Sequence, residues 1–375
     1  MQTGRKTLRT SLCDLLDIDY PIMQAGTGGI AGPDLAAAVC EAGGLGVLGA
    51  VGITADELDA RITRLKKLTS RPFGVDSIAP SNAVDTPSLD ELRQYIPDEA
   101  VEYAAKLCQD LGIPVPKGYK IGKDGGTGWA TGDTPKHIEV CYEHKVPVFC
   151  AALGSPAFMV PEAHARGMKL IGLVGTAEQA RREAEAGVDI IVAQGHEAGG
   201  HTGAVSTMPL VPLVVDAVHP TPVAAAGGII DGRGLVAALS LGASGVWCGT
   251  AFLCTHEIEW MEPESQQRII QATEKDTRVT RVFTGKTCRL ITTELIKKWE
   301  KEGPILPFPL PILMSTSLQE ILNDAKSADN YFVPAGQIIG AVKEMKSARQ
   351  VVEEMVEGAI RILRQDLPSR VKLDG

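Results

Sequence analysis

Residues 221–249, TPVAAAGGIIDGRGLVAALSLGASGVWCG, contain two short apolar runs joined by one amphipathic stretch. The runs Thr221–Ala226 and Gly245–Gly249 are bounded by glycine or proline, which predicts strands buried on both faces. Between them, Gly232–Leu241 has the apolar spacing of a helix. A strand, a helix and a second strand in this order form the repeating unit of a parallel sheet.

The same unit recurs along the preceding 200 or so residues of the chain. Further helices are predicted at Pro33–Ala42, Thr54–Leu68 and Thr176–Ala186. The other predicted strands are Tyr20–Ala25, Gly46–Ala50, Phe73–Ile78, Val146–Ala151, Lys169–Leu173 and Asp189–Ala193. Eight strands alternating with helices predict an α/β fold, the (β/α)₈ or TIM barrel. The competing fold is a doubly wound open sheet, which usually has fewer strands and a glycine motif after the first one.

Two segments interrupt the alternation. After the third strand, Ser81–Lys136 is predicted to be a lid-like insertion with helices at Ser88–Gln94 and Asp98–Leu111. Its glycine-rich stretch KIGKDGGTGWATGD, residues 120–133, is predicted to be a surface loop or part of a lid because it is too polar for a core. The insertion separates two parts of the barrel, residues 1–80 and 137–255.

Residues 256–375 exceed what one closing helix of a barrel requires, and we interpret them as a mostly helical cap. Within the cap, LPFPLP at residues 306–311 is predicted to be an extended linker. The final amphipathic helix, Ser347–Arg364, is expected to pack against the barrel. A long cap would also suit a homodimer.

Composition and charge exclude several classes of protein. The chain has 375 residues, 44% of them hydrophobic, and a net charge of −9, which argues against binding to nucleic acid or to an anionic membrane. No run of about 18 apolar residues is present to span a bilayer. The eight cysteines include no CxxC pair and several lie in apolar runs, which favours the reducing cytoplasm.

Glycines follow the strands at the end where barrel enzymes carry their active sites. Gly227 and Gly228 follow the seventh predicted strand, and Gly249 and Thr250 follow the eighth. Exposed amides at these two loops, together with a helix dipole, form the usual phosphate site of this fold. The alternative is that the glycines only allow tight turns.

The loop after the sixth strand, AQGHEAGGHTG at residues 193–203, has the composition of neither a helix nor a strand. Such a loop is typical of one that places polar groups beside a ligand. His201 is the candidate acid–base group because an ordinary histidine can take either role near neutral pH. His196 is interpreted as a supporting or surface histidine. No metal site is predicted, since Gly199-Gly200 interrupt any helical ligand spacing.

Several segments occur in the order and spacing of the nitronate monooxygenase family, which the chain resembles over nearly its whole length. They include YPIMQAGTGGIAGPDLAAAVCEAGGLGVLG, PFGVD, GHEAGGHTG, PVAAAGGIIDGRG, GASGVWCGTAF, TRVFTGKTCR and VPAGQIIG. The resemblance implies FMN bound without a covalent link in a TIM barrel with a helical cap. The same superfamily includes flavin-dependent enoyl-acyl-carrier-protein reductases.

The resemblance also implies roles for individual residues. His201 matches the catalytic histidine, and Asp76 stands near the flavin where most members have asparagine, so it is a second catalytic candidate. Gln194 matches a glutamine at the edge of the flavin ring. The remaining cofactor-binding candidates are Met23, Gln24, Ala25 and Gly26 at the ring, and Gly199, Gly200, Gly227, Gly228, Gly249 and Thr250 mainly at the phosphate.

Two reactions fit these parts, each with a small-molecule substrate. The first is oxidation of an alkyl nitronate or nitroalkane with O2, in which His201 would manage the α-proton. The alternative is NAD(P)H-linked reduction or dehydrogenation of an acyl-CoA, because parts of the chain resemble a subgroup from actinobacterial steroid-ring catabolism. A flavin-free aldolase or isomerase is disfavoured, since Lys145 and Lys169 precede their strands instead of following them.

Overall fold

The computed structural model describes residues 7–79, 89–125 and 134–372, and its central element is a sheet of eight parallel strands. The strands are Ile22–Gln24 (β1), Gly46–Gly49 (β2), Phe73–Ala79 (β3), Val148–Gly154 (β4), Lys169–Val174 (β5), Ile190–Gln194 (β6), Val223–Ala226 (β8) and Gly245–Cys248 (β9). Their order around the sheet is β1-β9-β8-β6-β5-β4-β3-β2. A parallel bridge between Met23 and Leu45 joins the two edges and closes the barrel. The predicted (β/α)₈ fold is confirmed.

Helices surround the strands, and several begin where the sequence predicts. Thr54 and Glu57 form a capping box at the start of one helix, and Pro33 occupies the first turn of another. The short helix Ser11–Leu16 (α1) precedes the barrel, whose helices are Pro33–Ala42 (α2), Ala55–Leu68 (α3), Thr134–Glu143 (α6), Val160–Ala165 (α7), Ala177–Ala186 (α8), Thr207–Val218 (α9), Gly232–Ser240 (α10) and Ala348–Arg361 (α14).

The last barrel helix, α14, follows the cap in the chain. It packs between α2 and α10, where the eighth helix of a barrel is expected. Ser347 caps α14 through a capping box with Gln350. Residues 256–347 are therefore inserted between strand β9 and its helix.

The insertion and the cap share one hydrophobic core. Helices Leu89–Gln94 (α4) and Asp98–Asp110 (α5) pack with the cap, where Tyr103 meets Trp299 edge to face at 5.4 Å. The Tyr103 hydroxyl also donates to the carbonyl of Lys298 at 3.0 Å. The cap helices are Pro263–Gln271 (α11), Glu294–Glu302 (α12) and Leu310–Asp324 (α13), and Leu367–Arg370 (α15) follows α14.

The cap also contains strands that the sequence analysis did not predict. Thr277–Thr280 (β10), Cys288–Ile291 (β11) and Gly200–His201 (β7) form a three-stranded antiparallel sheet. Strand β7 belongs to the loop at residues 193–203, which we call the histidine loop. The glycines of this loop did not indicate a strand. This sheet joins the barrel to the cap.

Two predictions for the connecting segments were wrong in part. Helix α13 begins inside LPFPLP at Leu310, and both Leu306 and Leu310 are buried, so the predicted linker is a packed entry to a helix. Ile121 in the predicted surface loop is also fully buried in the cap core. The rest of that loop, residues 126–133, and residues 80–88 lie outside the described residues.

The barrel interior is filled by side chains, including Met23, Val47, Ile171, Val192 and Trp247. It is therefore a packed core, and a cavity opens above it, at the carboxyl ends of the strands. Among the described residues, no helix is both long and apolar enough to cross a bilayer.

Candidate active site

A cavity of about 460 Å³ lies between the carboxyl ends of the barrel strands and the cap. This volume is within the range typical of small-molecule sites. All but three of the predicted site residues line it: Ala25, Asp76, Gln194, Gly199, Gly200, His201, Gly227, Gly228, Gly249 and Thr250. Residues from most barrel strands thus converge on one site.

The other three predicted residues, Met23, Gln24 and Gly26, are absent from the cavity lining. Met23 is fully buried inside the barrel. The side-chain oxygen Oε1 of Gln24 accepts the backbone N–H of Val47 at 3.0 Å, so this side chain connects β1 to β2. A Cβ on Gly26 would lie 2.4 Å from the Asp76 Cβ, so the absence of a side chain there makes room for Asp76. These three residues act below the cavity.

Asp76 is the middle residue of β3 and is 6% exposed. Its Oδ1 atom has no hydrogen-bond partner among the described residues. Burial raises the pKa of this carboxyl to about 8, because the charged form loses its hydration without gaining a partner. Asp76 is therefore mostly protonated and uncharged at neutral pH.

His201 is held between barrel and cap. Strand β7 pairs with β11, placing His201 opposite Cys288. The His201 Nε2 atom lies 2.8 Å from the Thr284 hydroxyl oxygen, and Thr284 is fully buried in the cap. The backbone N–H of Thr202 donates to the carbonyl of Thr287, whose hydroxyl in turn donates to the carbonyl of Thr202. The cap therefore fixes the position of the histidine.

The electrostatics of His201 differ from the sequence-based expectation. Burial lowers its pKa to about 4, and the nearby positive charge of Lys286 acts in the same direction. At neutral pH the imidazole is uncharged and can accept a proton, but it holds too little protonated form to serve as an acid. The prediction that it could take either role near pH 7 was wrong on this point.

The rest of the histidine loop is held by hydrogen bonds. The His196 Nδ1 atom lies 2.8 Å from the Gly203 carbonyl, and the guanidinium of buried Arg289 donates to the His196 carbonyl at 3.0 Å. Glu197 accepts from the backbone and hydroxyl of Thr207 at the first turn of α9. His196 is absent from the cavity lining, which agrees with its interpretation as a supporting residue.

Gln194 also holds the histidine loop in place. Its side-chain amide lines the cavity and donates to the carbonyl of His201. It connects the end of β6 to β7, so a group in the cavity would meet Gln194 and His201 together.

Glycine backbone forms the other wall of the cavity. Gly227 and Gly228 have φ values of 105° and 72°, which L side chains rarely adopt. Their amides, and that of Gly249, donate to no acceptor among the described residues. A Cβ on Gly199 would lie 2.6 Å from the backbone of Ala335, so the loop packs directly on a cap segment. Exposed amides are suited to bind anionic oxygen.

The expected helix dipole is less available than the sequence suggested. The Asp231 carboxylate caps α10 by accepting from the amides of Arg233 and Gly234. After β9, Thr250 opens only a short 3₁₀ turn, and its hydroxyl accepts the Gly336 amide at 2.9 Å. A phosphate here would depend mainly on loop amides.

Sequence reasoning assigned no role to the cap side of the cavity. Phe283, Thr316, Gln319 and Phe332 line it, while Thr284 supports His201 from behind. Phe283 and Thr284 belong to the segment TRVFTGKTCR, which the sequence analysis used only as part of the family resemblance. That segment indicated the family but not which groups the two residues contact.

Cysteine and metal chemistry have no evident place in the described parts of the chain. All eight cysteines are free and buried. Burial raises the pKa of the Cys248 thiol, which lines the cavity, to about 12, so it stays protonated. No group of three or more potential metal ligands was found among the described residues.

Comparison with known proteins agrees with the fold and the site. A family model for nitronate monooxygenase matches residues 9–358. The chain is 38% identical to a candidate monooxygenase of Mycobacterium tuberculosis, over 96% of this chain and 98% of that protein. It is 35% identical to the probable nitronate monooxygenase of Staphylococcus saprophyticus, over 96% of this chain and 99% of that protein.

Solved structures give the same result. A nitroalkane oxidase from Streptomyces ansochromogenes superposes with a TM-score of 0.80 at 30% identity, covering 96% of this chain and 100% of that one. FabK from Thermotoga maritima superposes with a TM-score of 0.75 at 30% identity, covering 97% of this chain and 100% of that one. The chain therefore belongs to the nitronate monooxygenase family, and the protein is an oxidoreductase.

Proposed function

We propose that the protein is an FMN-dependent enzyme that oxidises alkyl nitronates with O2. The observation that carries the proposal is the pair of half-buried His201 and buried Asp76, which are both uncharged at neutral pH in one cavity with a wall of glycine backbone. This combination suits an anionic substrate beside a planar cofactor, because the buried Asp76 carboxyl is uncharged and does not repel it. The exposed Glu262 carboxylate lies on the cap side of the lining.

The residues present fit FMN. The Asp76 Oδ1 and Thr27 Oγ1 atoms are buried, line the cavity and lack protein partners among the described residues, so each needs a ligand group or water. The amides of Gly227, Gly228 and Gly249 would hold the phosphate. Gln194, Asp76 and the backbone near Ala25 would hold the ring. FMN, when bound, supplies the electron transfer that protein side chains cannot.

The histidine favours the nitronate over the neutral nitroalkane. A group with a pKa of about 4 is a weak base for removing a proton from carbon. An already deprotonated nitronate needs no such step, and uncharged His201 can accept a hydrogen bond or take up a proton as the reaction proceeds. Thr284 keeps the ring oriented while it does so.

Asp76 has a complementary role. Protonated at neutral pH, its carboxyl can donate a hydrogen bond to an acceptor in the cavity, where a carboxylate could not. It therefore offers the donor that the more common asparagine would offer, as long as its proton remains in place.

The test is anaerobic reduction of the purified yellow protein, followed by absorbance near 450 nm. We expect ethyl nitronate to bleach the flavin rapidly and O2 to restore the colour. Bleaching by NADH alone, with no response to nitronate, would instead favour the reductase alternative with an acyl-CoA substrate. Protein that neither contains FMN nor binds added FMN would contradict both.

A further inference from the structure

The turn between β10 and β11 packs against His201 and carries a lysine. The Gly285 amide donates to the Arg281 carbonyl at 2.8 Å, and the Arg281 Nε donates to the Gly285 carbonyl at 2.9 Å, so two hydrogen bonds close the turn. The Lys286 backbone N–H donates to the Thr284 hydroxyl oxygen at 3.4 Å, and that oxygen lies 2.8 Å from the His201 Nε2 atom. The backbone of Lys286 is therefore two hydrogen bonds away from the imidazole.

The side chain of Lys286 lies over an aromatic ring. Its ammonium nitrogen is 4.3 Å from the centroid of the Phe308 ring, which is within the range of a cation–π contact. The backbone of the turn packs on the same residue, since a Cβ on Gly285 would lie 2.6 Å from the Phe308 nitrogen. Lys286 is exposed, but Phe308 gives its flexible side chain a defined place beside the turn.

The charge of Lys286 is not neutralised by an acidic side chain. In residues 7–79, 89–125 and 134–372, no carboxylate forms an ion pair with it. Other basic side chains of the cap do have such partners, because Arg278 pairs with Glu300 at 3.0 Å and Lys297 pairs with Glu294 at 2.7 Å. Burial is the larger cause of the low pKa of His201, and the positive charge of Lys286 adds to it.

Most titratable groups that face His201 from the barrel and the cap carry no charge at neutral pH. Burial raises the pKa of Asp76 to about 8 and that of Cys248 to about 12, and both line the cavity on the barrel side. Burial likewise raises the pKa of Cys288, which lies opposite His201 on β11, and that of Tyr331 in the cap lining. These four groups therefore contribute no charge that could offset Lys286.

Three charged groups are also near the histidine loop. Arg289 on β11 is buried and Glu197 lies in the loop, and their opposite charges attract each other. Glu262 lines the cap side of the cavity but is exposed, so water screens its charge. Neither the Arg289–Glu197 pair nor Glu262 is a cause of the low pKa of His201, whereas Lys286 is.

We propose that Lys286, held over Phe308, is a positioning residue that acts through His201: its charge keeps a proton off the imidazole and so sets the lowest pH at which the enzyme works. The proposal rests on the proposed function, since it concerns the histidine of the same site. Only the unprotonated imidazole can accept a hydrogen bond or a proton from the substrate.

A charge series at position 286 tests the proposal by NMR. In holoenzyme labelled with ¹³C-histidine, the signals of the imidazole Cε1–H groups report the pKa of each histidine, and His201→Gln identifies the signal of His201. We expect Lys286→Met, which has a similar length and no charge, to raise the pKa of His201 by about 0.5–1, and Lys286→Glu to raise it by about 1–2. Lys286→Arg keeps the charge and should stay near the wild type.

A distant lysine provides the control for this series. Lys301 lies in α12, pairs with Glu302 and has a side chain that is 79% exposed. Lys301→Met removes the same charge from the protein and should leave the pKa of His201 unchanged, because solvent screens it. A purely structural role of Lys286 would not order the pKa of His201 by the charge at position 286.

A second pair of variants tests the aromatic ring under the lysine. Phe308→Leu removes the ring, whereas Phe308→Tyr keeps an aromatic face. We expect Phe308→Leu to raise the pKa of His201 by less than Lys286→Met does, because the charge remains and only its place is lost. Equal values in Phe308→Leu and Phe308→Tyr would contradict the role of Phe308.

The pH profile of turnover connects the charge to the reaction. The acid limb of kcat/KM for ethyl nitronate should move to higher pH in Lys286→Met and further in Lys286→Glu, by about 0.5 pH unit or more in the latter. Protonation of the nitronate itself is the same for every variant and cancels in the comparison. An acid limb that stays in place while the pKa of His201 rises would show that Lys286 does not set the working pH.

The NMR titration needs no turnover, so it separates this proposal from the proposed function. If no nitronate is oxidised but the charge series orders the pKa of His201, the proposed function fails and the action of Lys286 on the histidine stands. If Lys286→Met and Lys286→Glu leave the pKa of His201 at the wild-type value, the proposal for Lys286 is wrong, whether or not nitronates are oxidised.

Discussion

Replacing Asp76 by asparagine should remove a large pH dependence from the stability of the protein. Because burial raises the pKa of Asp76 to about 8, the folded state keeps a proton that the unfolded chain releases above its ordinary pKa of about 3.9. The contribution to stability is therefore fully present below about pH 3.9 and is lost as the pH rises to about 8. Asparagine has a similar shape and carries no such proton.

The magnitude follows from the width of this window. Each pH unit inside it lowers the free energy of unfolding of the wild type by about 1.4 kcal/mol. Between about pH 5 and about pH 7, the stability of Asp76→Asn should therefore rise relative to wild type by about 3 kcal/mol. The low pKa of His201 affects both proteins equally and cancels in this difference.

Urea unfolding of flavin-free protein at several pH values measures this difference, since bound cofactor would add its own stabilisation. Asp90→Asn is the control, because the Asp90 side chain is 87% exposed and should show no comparable change. If the stability curves of wild type and Asp76→Asn run parallel from about pH 5 to about pH 8, the carboxyl ionises normally in the folded protein and the reasoning is refuted.

Three further predictions concern the site. His201→Ala should keep bound FMN but lose about 10²–10⁴-fold in kcat, and retention of near-normal turnover would remove His201 from the reaction. Thr284→Val should lower kcat about 5–10-fold by freeing the imidazole, with Thr284→Ser restoring it. Thr280→Val is the control, because the hydroxyl of buried Thr280 accepts the backbone N–H of Val282; this variant should leave kcat nearly unchanged. Gly26→Ala should lower the free energy of unfolding by about 1–3 kcal/mol through its overlap with Asp76. Gly249→Ala, whose Cβ would lie 3.5 Å from its nearest atom, should leave the free energy of unfolding nearly unchanged. Equal unfolding midpoints for Gly26→Ala and Gly249→Ala would contradict this prediction.

The barrel was predictable because its signals are local. Strand β2 and helix α2 begin at the predicted residues, because glycines bound the apolar run of β2 and α2 begins at Pro33 and ends at Gly43. The glycines that line the cavity were predictable for the same reason, because loops after barrel strands face one end.

The chemistry of the site was less predictable because it depends on distant contacts. Thr284 reaches His201 across 83 positions in the chain, and strand β7 exists only because β11 pairs with it. The pKa of Asp76 depends on burial by residues from several strands. The composition of the loop at residues 193–203 identified His201 and the resemblance to a family identified Asp76, but their charge states required the folded structure.

The position of α14 also has a consequence for how the protein is made. Its backbone packs so closely on α10 that a Cβ on Gly232 would lie 2.2 Å from the Ala359 nitrogen. Because the whole cap precedes α14 in the chain, the ribosome must synthesise the cap before the ring of helices can be completed. Until then, the apolar faces of α2 and α10 remain exposed, and a chaperone that shields them during translation would raise the yield of folded enzyme.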